Sequence, residues 1–126
     1  MTNCTAIKIE FPAFKRRKIE AQFNGGAITS DGGVLLLRSI DQRLKLTEQV
    51  AAQITDPRDP DKIRHQVVDL LRQRVYGLAC GYEDLNDHDT LRNDIALQTA
   101  VEKDQVLGSR STLCRFEQQA DRALMW

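Results

Sequence analysis

The sequence predicts a mainly α-helical α+β fold, in which an N-terminal β-hairpin precedes four to six helices. Two patterns lead to this expectation. Polar and apolar residues alternate near the N-terminus, whereas apolar residues recur at three- and four-residue steps from about residue 30 onward. The chain has 126 residues, of which 41% are apolar and 29% charged, as is typical of one globular domain. We therefore expect one domain over residues 1–126, with the hairpin in 1–24 and the helices in 30–126.

The predicted hairpin consists of two alternating segments, residues 7–11 and 19–23, joined by a turn over residues 12–18. The second strand is expected to end at residues 24–26, Asn-Gly-Gly, because these residue types tolerate positive φ. The turn carries a run of four basic side chains at or near its tip, namely Lys15, Arg16, Arg17 and Lys18.

Helices are predicted over residues 32–44, from Thr47 to about residue 54, over 61–80, from Asp87 or Asp89 to about Val101, and from Ser109 or Ser111 onward. The first of them has four apolar residues on one side, Leu35, Leu36, Ile40 and Leu44. The helix over 61–80 shows the clearest pattern, with an apolar stripe made of Ile63, Val67, Leu71, Val75 and Leu78.

Charge is distributed unevenly along a chain whose formal net charge is zero. Residues 1–23 carry a surplus of three positive charges, and residues 82–104 carry a surplus of five negative charges. This polarity predicts one basic and one acidic face, although ordinary solvated charge is an equally good reading of it. Arginine outnumbers lysine twelve to six, and arginine is the better residue for bidentate phosphate contacts.

Several classes of protein do not fit the sequence. No apolar run is longer than four residues, as in Val34 to Leu37, so a membrane-spanning helix is not expected, and no secretory signal is recognisable at the N-terminus. The three cysteines, Cys4, Cys80 and Cys114, are odd in number and far apart, which favours a reducing cytoplasm over a disulfide framework. They also lack the ligand spacing of a zinc module.

An acidic cluster is the most catalytic-looking feature of the sequence. Carboxylates beside a histidine are able to bind a hard cation such as Mg²⁺, but helix capping and a solvated acidic face are the more common roles of such residues. The cluster comprises Glu83, Asp84, Asp87, His88, Asp89 and Asp94. With only two histidines in the chain, no Ser/His/Asp or Cys/His arrangement is convincing, and we predict no catalytic or metal-binding residue.

Basic residues supply the candidate DNA contacts. Lys15, Arg16, Arg17 and Lys18 are placed to follow a phosphate backbone from the hairpin, and Arg110 and Arg115 from the last helix. Residues 109–116 (SRSTLCRF) are similar to the start of a recognition helix, where Ser, Thr and Arg read base edges. A capped surface helix without any DNA contact is the alternative.

Four blocks of the sequence stand out together: 23–38 (FNGGAITSDGGVLLLR), 56–60 (DPRDP), 70–89 (LLRQRVYGLACGYEDLNDHD) and 111–117 (STLCRFE). In this order they resemble the N-terminal part of a bacterial insertion-sequence transposase of the family described as transposase DDE domain, group one. The third block is the most specific one, and its motif residues are Arg72, Gln73, Arg74, Gly81, Tyr82, Asp84, Asp87, His88 and Asp89.

The resemblance implies transposition of mobile DNA by a ribonuclease-H-like core, in which three carboxylates bind two divalent metals, Mg²⁺ or Mn²⁺. In the family the first catalytic Asp follows the last of these blocks, so the resemblance assigns no catalytic residue to this chain. We therefore expect a truncated, catalytically incompetent transposase fragment that at most binds DNA, with the terminal inverted repeats of the element as its target. A regulatory fragment that pairs with full-length transposase, and a remnant without function, are the alternatives.

Overall fold

A computed structural model describes residues 8–22 and 30–124 of the chain. The two strands are β1 (Lys8–Phe14) and β2 (Arg17–Gln22), and the helices are α1 (Val34–Leu44), α2 (Leu46–Ala52), α3 (Val67–Ala79), α4 (His88–Leu91), α5 (Ile95–Val101) and α6 (Arg110–Leu124). Short 3₁₀ turns lie at Pro60–Lys62 and Leu85–Asp87. This arrangement confirms the predicted α+β class with a single hairpin before the helices.

The hairpin is antiparallel, and Phe11 pairs with Ile19 in its middle. Its turn is shorter than predicted, because the strands extend to Phe14 and Arg17 and leave only two residues between them. Lys15, in the turn, has a φ of 52°, a left-handed conformation that closes the tight connection. The end predicted for the second strand, at residues 24–26, lies outside the described residues.

The apolar side of α1 predicted from the sequence, which carries Leu36, Ile40 and Leu44, faces mainly outward. Leu36 and Ile40 are each 54% exposed and Leu44 is 61% exposed, whereas Arg38 and Asp41 are only 3% and 8% exposed. The helix turns its polar residues inward because tertiary partners satisfy them. Arg38 Nη1, for example, donates to the carbonyl of Pro12 on the hairpin at 2.7 Å.

The helix predicted over 61–80 begins later, at Val67. The chain before it forms the 3₁₀ turn and an irregular stretch. Gln66 and Asp69 form a capping box, in which the Gln66 N–H donates to Asp69 Oδ2 at 3.2 Å, and this fixes the start of α3. The buried face of α3 also differs from the apolar stripe, since Val75 and Leu78 are exposed while Gln73 is buried.

The core consists of two clusters that share α3. The first packs α1, α3 and α5 together through Val34, Tyr76, Leu97 and Val101. The second joins α3 to α6 through Leu70, Leu113 and Phe116. The second cluster fixes the start of α6, where the sequence placed it. Within the described residues, no helix combines the length and the apolar character needed to cross a membrane.

Candidate nucleic-acid interface

An open cleft of about 430 Å³ lies between the segment 54–65, the start of α3 and the first turns of α6. Five cationic side chains line it, and the only carboxylate among its lining residues is Asp56. These cations come from segments far apart in the sequence: Arg58, Lys62, Arg64, Arg92 and Arg115. The fold therefore concentrates positive charge in one concave place on a chain without net charge.

Asp56 and Arg58 neutralise each other inside this cleft. Arg58 Nε and Nη2 donate to the two oxygens of Asp56 at 2.8 and 2.7 Å, which is a bidentate pair. The hydrogen bonds from the Arg58 side chain lower the pKa of Asp56, so this carboxylate stays charged at neutral pH. Arg58 Nη2 also donates to the carbonyl of His65 at 2.8 Å and thereby shapes the segment ahead of α3.

Three arginines of the cleft have no acidic partner within the part of the chain that the structure describes, namely Arg64, Arg92 and Arg115. Lys62 has only a loose pairing, since its Nζ lies 3.9 Å from Asp59. The cleft therefore presents several guanidinium groups to solvent without internal compensation. This is the state in which arginines are available to an external anion.

The pKa of His65 is lowered by its surroundings in the cleft. Burial, and after it the charge of Arg64, lower the pKa of His65, and Arg92 acts in the same direction. The imidazole is therefore neutral at pH 7 and adds no charge to the cleft.

The first turn of α6 forms another wall of the cleft with two hydroxyl groups. Ser109 Oγ accepts a hydrogen bond from the Thr112 N–H at 3.3 Å and lies 3.1 Å from Thr112 Oγ1. Ser109 is thus the N-cap of the helix, at one of the two positions that the sequence offered. Both side chains line the cleft beside Arg115.

The four basic residues predicted on the hairpin have different surroundings. Lys15 Nζ lies 2.6 Å from Asp104, Arg17 Nη1 donates to Thr99 Oγ1 at 3.3 Å, and Lys18 pairs with Glu20. Arg16 is exposed and has no partner among the described residues. Three of the four basic side chains thus already have partners within the chain.

The two arginines predicted on the last helix lie close to the cleft. Arg110 is held by Asp89 at 3.2 Å and donates to Asn86 Oδ1 at 2.7 Å. It lines a second cavity of about 400 Å³, and Arg115 lines both that cavity and the main cleft. Arg115 therefore stands between two concave surfaces on the first half of α6.

The motif residues of the third block hold the helices together. Gln73 Nε2 donates to the Gly108 carbonyl at 2.8 Å and lies 3.2 Å from Nδ1 of the fully buried His88. Arg74 pairs with Glu117 on α6 and donates to the carbonyls of Tyr82 and Glu83. These contacts tie α3 to the segment 82–88 and to α6, so they build the scaffold under the cleft.

Other motif residues fix local geometry. Arg72 Nε donates to Thr47 Oγ1 at 3.0 Å, and Tyr82 donates its hydroxyl proton to Asp31 at 2.9 Å. Gly81 has a φ of 95°, a conformation that side-chain-bearing residues rarely adopt, and it ends α3. Asp87 contributes its backbone N–H to the Asp84 carbonyl at 3.2 Å in the 3₁₀ turn.

The acidic cluster does not form a metal site in the described part of the chain. Asp84 caps the 3₁₀ turn by accepting from Asn86 N at 2.8 Å, Asp94 caps α5 by accepting from Ala96 N at 2.8 Å, and Asp89 binds Arg110. No group of three or more His, Cys, Asp or Glu side chains in the described ranges is arranged to hold an ion. The residues of this cluster therefore do not fit the divalent metals of a DDE enzyme.

Sequence reasoning missed Arg58, Lys62, Arg64 and Arg92 as members of this surface. It followed local runs of positive charge, whereas the cleft collects residues from distant segments. The one available signal was the excess of arginine over lysine, which pointed to phosphate binding without indicating which arginines take part.

The match to protein families agrees with the motif blocks. The model of the family Transposase DDE domain group 1 matches residues 11–126. No curated protein and no solved structure matches the chain. Enzymes of the DDE type move DNA and use divalent metal ions. Since the matched range covers most of the 126 residues, the chain belongs to the Transposase DDE domain group 1 family.

Proposed function

We propose that this chain supplies a DNA-backbone-binding surface of a DDE transposase, and that Arg64, Arg92 and Arg115 contact phosphates. The observation that carries the proposal is the convergence of these three unpaired guanidinium groups on one cleft. The terminal inverted repeats of the element are the expected DNA. No residue of the chain is proposed to be catalytic.

The position of the charges favours a DNA strand over a small inorganic anion as the ligand. Arg115 lines both cavities on α6, and Arg110 lies in the second one, so one strand is able to pass from the first cavity to the second. Arginine holds phosphate oxygens through paired N–H groups, and a concave basic surface attracts the backbone at long range. Arg110 is able to contact a phosphate of this strand either beside Asp89 or after its ion pair with Asp89 has opened.

The hairpin is a secondary part of this proposal. Arg16 is exposed and ready for a phosphate contact, whereas Lys15, Arg17 and Lys18 would have to leave Asp104, Thr99 and Glu20 first. Exchange of the Lys15–Asp104 and Lys18–Glu20 ion pairs costs little because solvent screens them, and Arg17 would exchange one hydrogen bond to a neutral hydroxyl. We expect the hairpin to add to binding at low salt without determining it.

Fluorescence anisotropy with a labelled duplex of the terminal inverted repeat tests the proposal. Arg64→Ala, Arg92→Ala and Arg115→Ala are each expected to weaken binding several-fold at low salt. Arg43→Ala is the matched control, since Arg43 is an exposed arginine of α1 that does not line the cleft. Equal losses in all four variants, or no binding by the wild-type chain, would contradict the proposal.

A second candidate function is pairing with an intact transposase, which the chain would then inhibit. The outward side of α1 favours it, because Leu36, Ile40 and Leu44 form an exposed apolar row at four-residue steps. Co-purification with the intact enzyme that survives nuclease treatment would support this function. Loss of the complex on nuclease treatment would assign the association to shared DNA.

We also infer a reducing compartment, the cytoplasm, as the site of action. Cys80 and Cys114 are both free thiols in the structure. Burial raises the pKa of Cys80, so this thiol is mostly protonated at neutral pH and reacts slowly. Free thiol titration of protein prepared from cells without reductant is expected to find all three cysteines of the chain reduced.

A further inference from the structure

The basic cleft has an apolar floor, which phosphate binding alone does not explain. Four of its lining residues are apolar: Leu70 and Phe116 belong to the second core cluster, and Ile54 and Val67 pack against that cluster. Leu70 and Phe116 are 2% and 8% exposed, so they lie at the bottom, whereas Lys62, Arg64 and Arg115 are exposed at the mouth. The cleft therefore reaches down to the edge of the second core cluster.

Such a cleft suits a ligand with one apolar and one anionic part. A phosphate gains nothing from an apolar floor, since it carries charge and a strong hydration shell. A nucleobase has a flat, weakly hydrated face, and single-stranded DNA is commonly held by cations along its backbone and apolar or aromatic side chains against its bases. The hydroxyls of Ser109 and Thr112, on the α6 wall, are among the polar groups of the cleft that a base edge would meet.

The size of the cleft selects a single nucleotide over a duplex. Its volume of about 430 Å³ falls in the range of pockets that enclose small molecules. A double helix keeps its bases stacked in its interior, so it would present its phosphates to the arginines at the mouth of the cleft. A base that has left the stack is able to enter the cleft and lie against its apolar lining.

We propose that this cleft takes one unpaired nucleotide of the bound DNA, with its base on the apolar floor and its flanking phosphates on Arg64, Arg92 and Arg115. The inference rests on the proposed DNA binding and adds the identity of the group that enters the cleft. It predicts a preference for DNA with an extrahelical, overhanging or mismatched nucleotide, because such a base costs least to unstack.

Anisotropy titrations of the 126-residue chain with three labelled duplexes test this inference. One duplex is fully paired, the second contains a single extrahelical nucleotide, and the third carries an abasic site in place of that nucleotide. The extrahelical base is expected to tighten binding by roughly fivefold to 100-fold over the paired duplex. The abasic bulge is expected to lose this gain, since it keeps the bend and the phosphates but has no base.

The results separate failure of the inference from failure of the proposed function. Equal affinity for all three duplexes would leave DNA binding intact and overturn the nucleotide site. Equal tightening by the base and by the abasic bulge would also overturn it, because DNA flexibility would then explain the preference. Absence of binding to any duplex would overturn both proposals.

Two variants give an independent check. Ile54→Ser removes apolar floor from a partly buried position and is expected to reduce only the gain from the extrahelical base. Arg115→Ala is expected to weaken binding to all three duplexes by a similar factor. A thermal melt of each variant establishes that it is folded. A folded Ile54→Ser protein that retained the full preference would contradict the inference.

Discussion

Gln73 and Gly108 exchange two hydrogen bonds across the interior of the protein. Gln73 Nε2 donates to the Gly108 carbonyl at 2.8 Å, and the Gly108 N–H donates to Gln73 Oε1 at 3.0 Å. The side-chain amide thus acts like a short strand that pairs with the backbone just before α6. Since α6 carries Arg115, this pair positions one wall of the cleft.

Replacement of Gln73 by Ala is expected to lower the free energy of unfolding by about 2–4 kcal/mol. The change leaves the buried N–H and carbonyl of Gly108 without partners, and each unsatisfied buried group costs about 1–3 kcal/mol. Urea unfolding followed by circular dichroism measures the effect. Gln49→Ala is the control, because Gln49 is exposed; its loss should be below about 0.5 kcal/mol.

Replacement of Gly77 by Ala is expected to destabilise the fold by about 1–3 kcal/mol, the usual range for overpacking. A Cβ at this position would stand 2.8 Å from Cε1 and 3.0 Å from Nε2 of His88. The imidazole has no room to retreat, since it is fully buried beside Gln73. Gly33→Ala should stay within about 1 kcal/mol, because nothing lies within 4 Å of the added carbon.

The sequence patterns predicted some elements of the fold and missed the inward faces of others. The helix α6 was predicted because Leu113 and Phe116, at helical spacing, are buried. The hairpin was predicted from period-two alternation, which agrees with the burial of Ile19 in β2 but not with Ile9 in β1, which is 38% exposed. The inward faces of α1 and α3 were missed because Arg38, Asp41 and Gln73 are buried polar residues whose partners lie far away in the sequence. The cleft was missed for the same reason, since distant segments supply its arginines.

Removal of the Tyr76 hydroxyl in Tyr76→Phe is expected to cost about 1–2 kcal/mol. This hydroxyl donates to buried Asp41 Oδ2 at 2.8 Å, where Thr47 also donates through its backbone N–H at 2.9 Å to the other oxygen. Differential scanning calorimetry measures the loss. Tyr82→Phe provides the comparison, because it removes a hydroxyl bonded to the less buried Asp31. A larger loss for Tyr82→Phe than for Tyr76→Phe would contradict this reading.

Stability is expected to fall between pH 7 and pH 5. Burial, and after it the charge of Arg74, lower the pKa of His88 below its usual value of about 6.5. Just below pH 6.5, His88 therefore binds a proton in the unfolded chain but remains neutral in the folded chain. The resulting stability is complete above about pH 6.5 and is lost as the pH falls from there toward the folded pKa.

His65 contributes to the same pH dependence, because its pKa is also lowered. Urea unfolding at a series of pH values, with the wild type and with His88→Asn and His65→Asn, separates the two contributions. Each variant should show a weaker dependence on pH than the wild type. A wild-type stability that is constant from pH 7 to pH 5 would contradict the neutral, buried state of His88.

The salt dependence of DNA binding tests most directly whether the arginines of the cleft contact phosphates. The logarithm of the binding constant should fall linearly with the logarithm of salt concentration, and each phosphate contact adds about 0.9 to the slope. A variant with Arg64, Arg92 and Arg115 all replaced by Ala is expected to lower that slope by about 2.7, whereas Arg43→Ala should leave it unchanged. A folded triple variant with the wild-type slope would contradict the account.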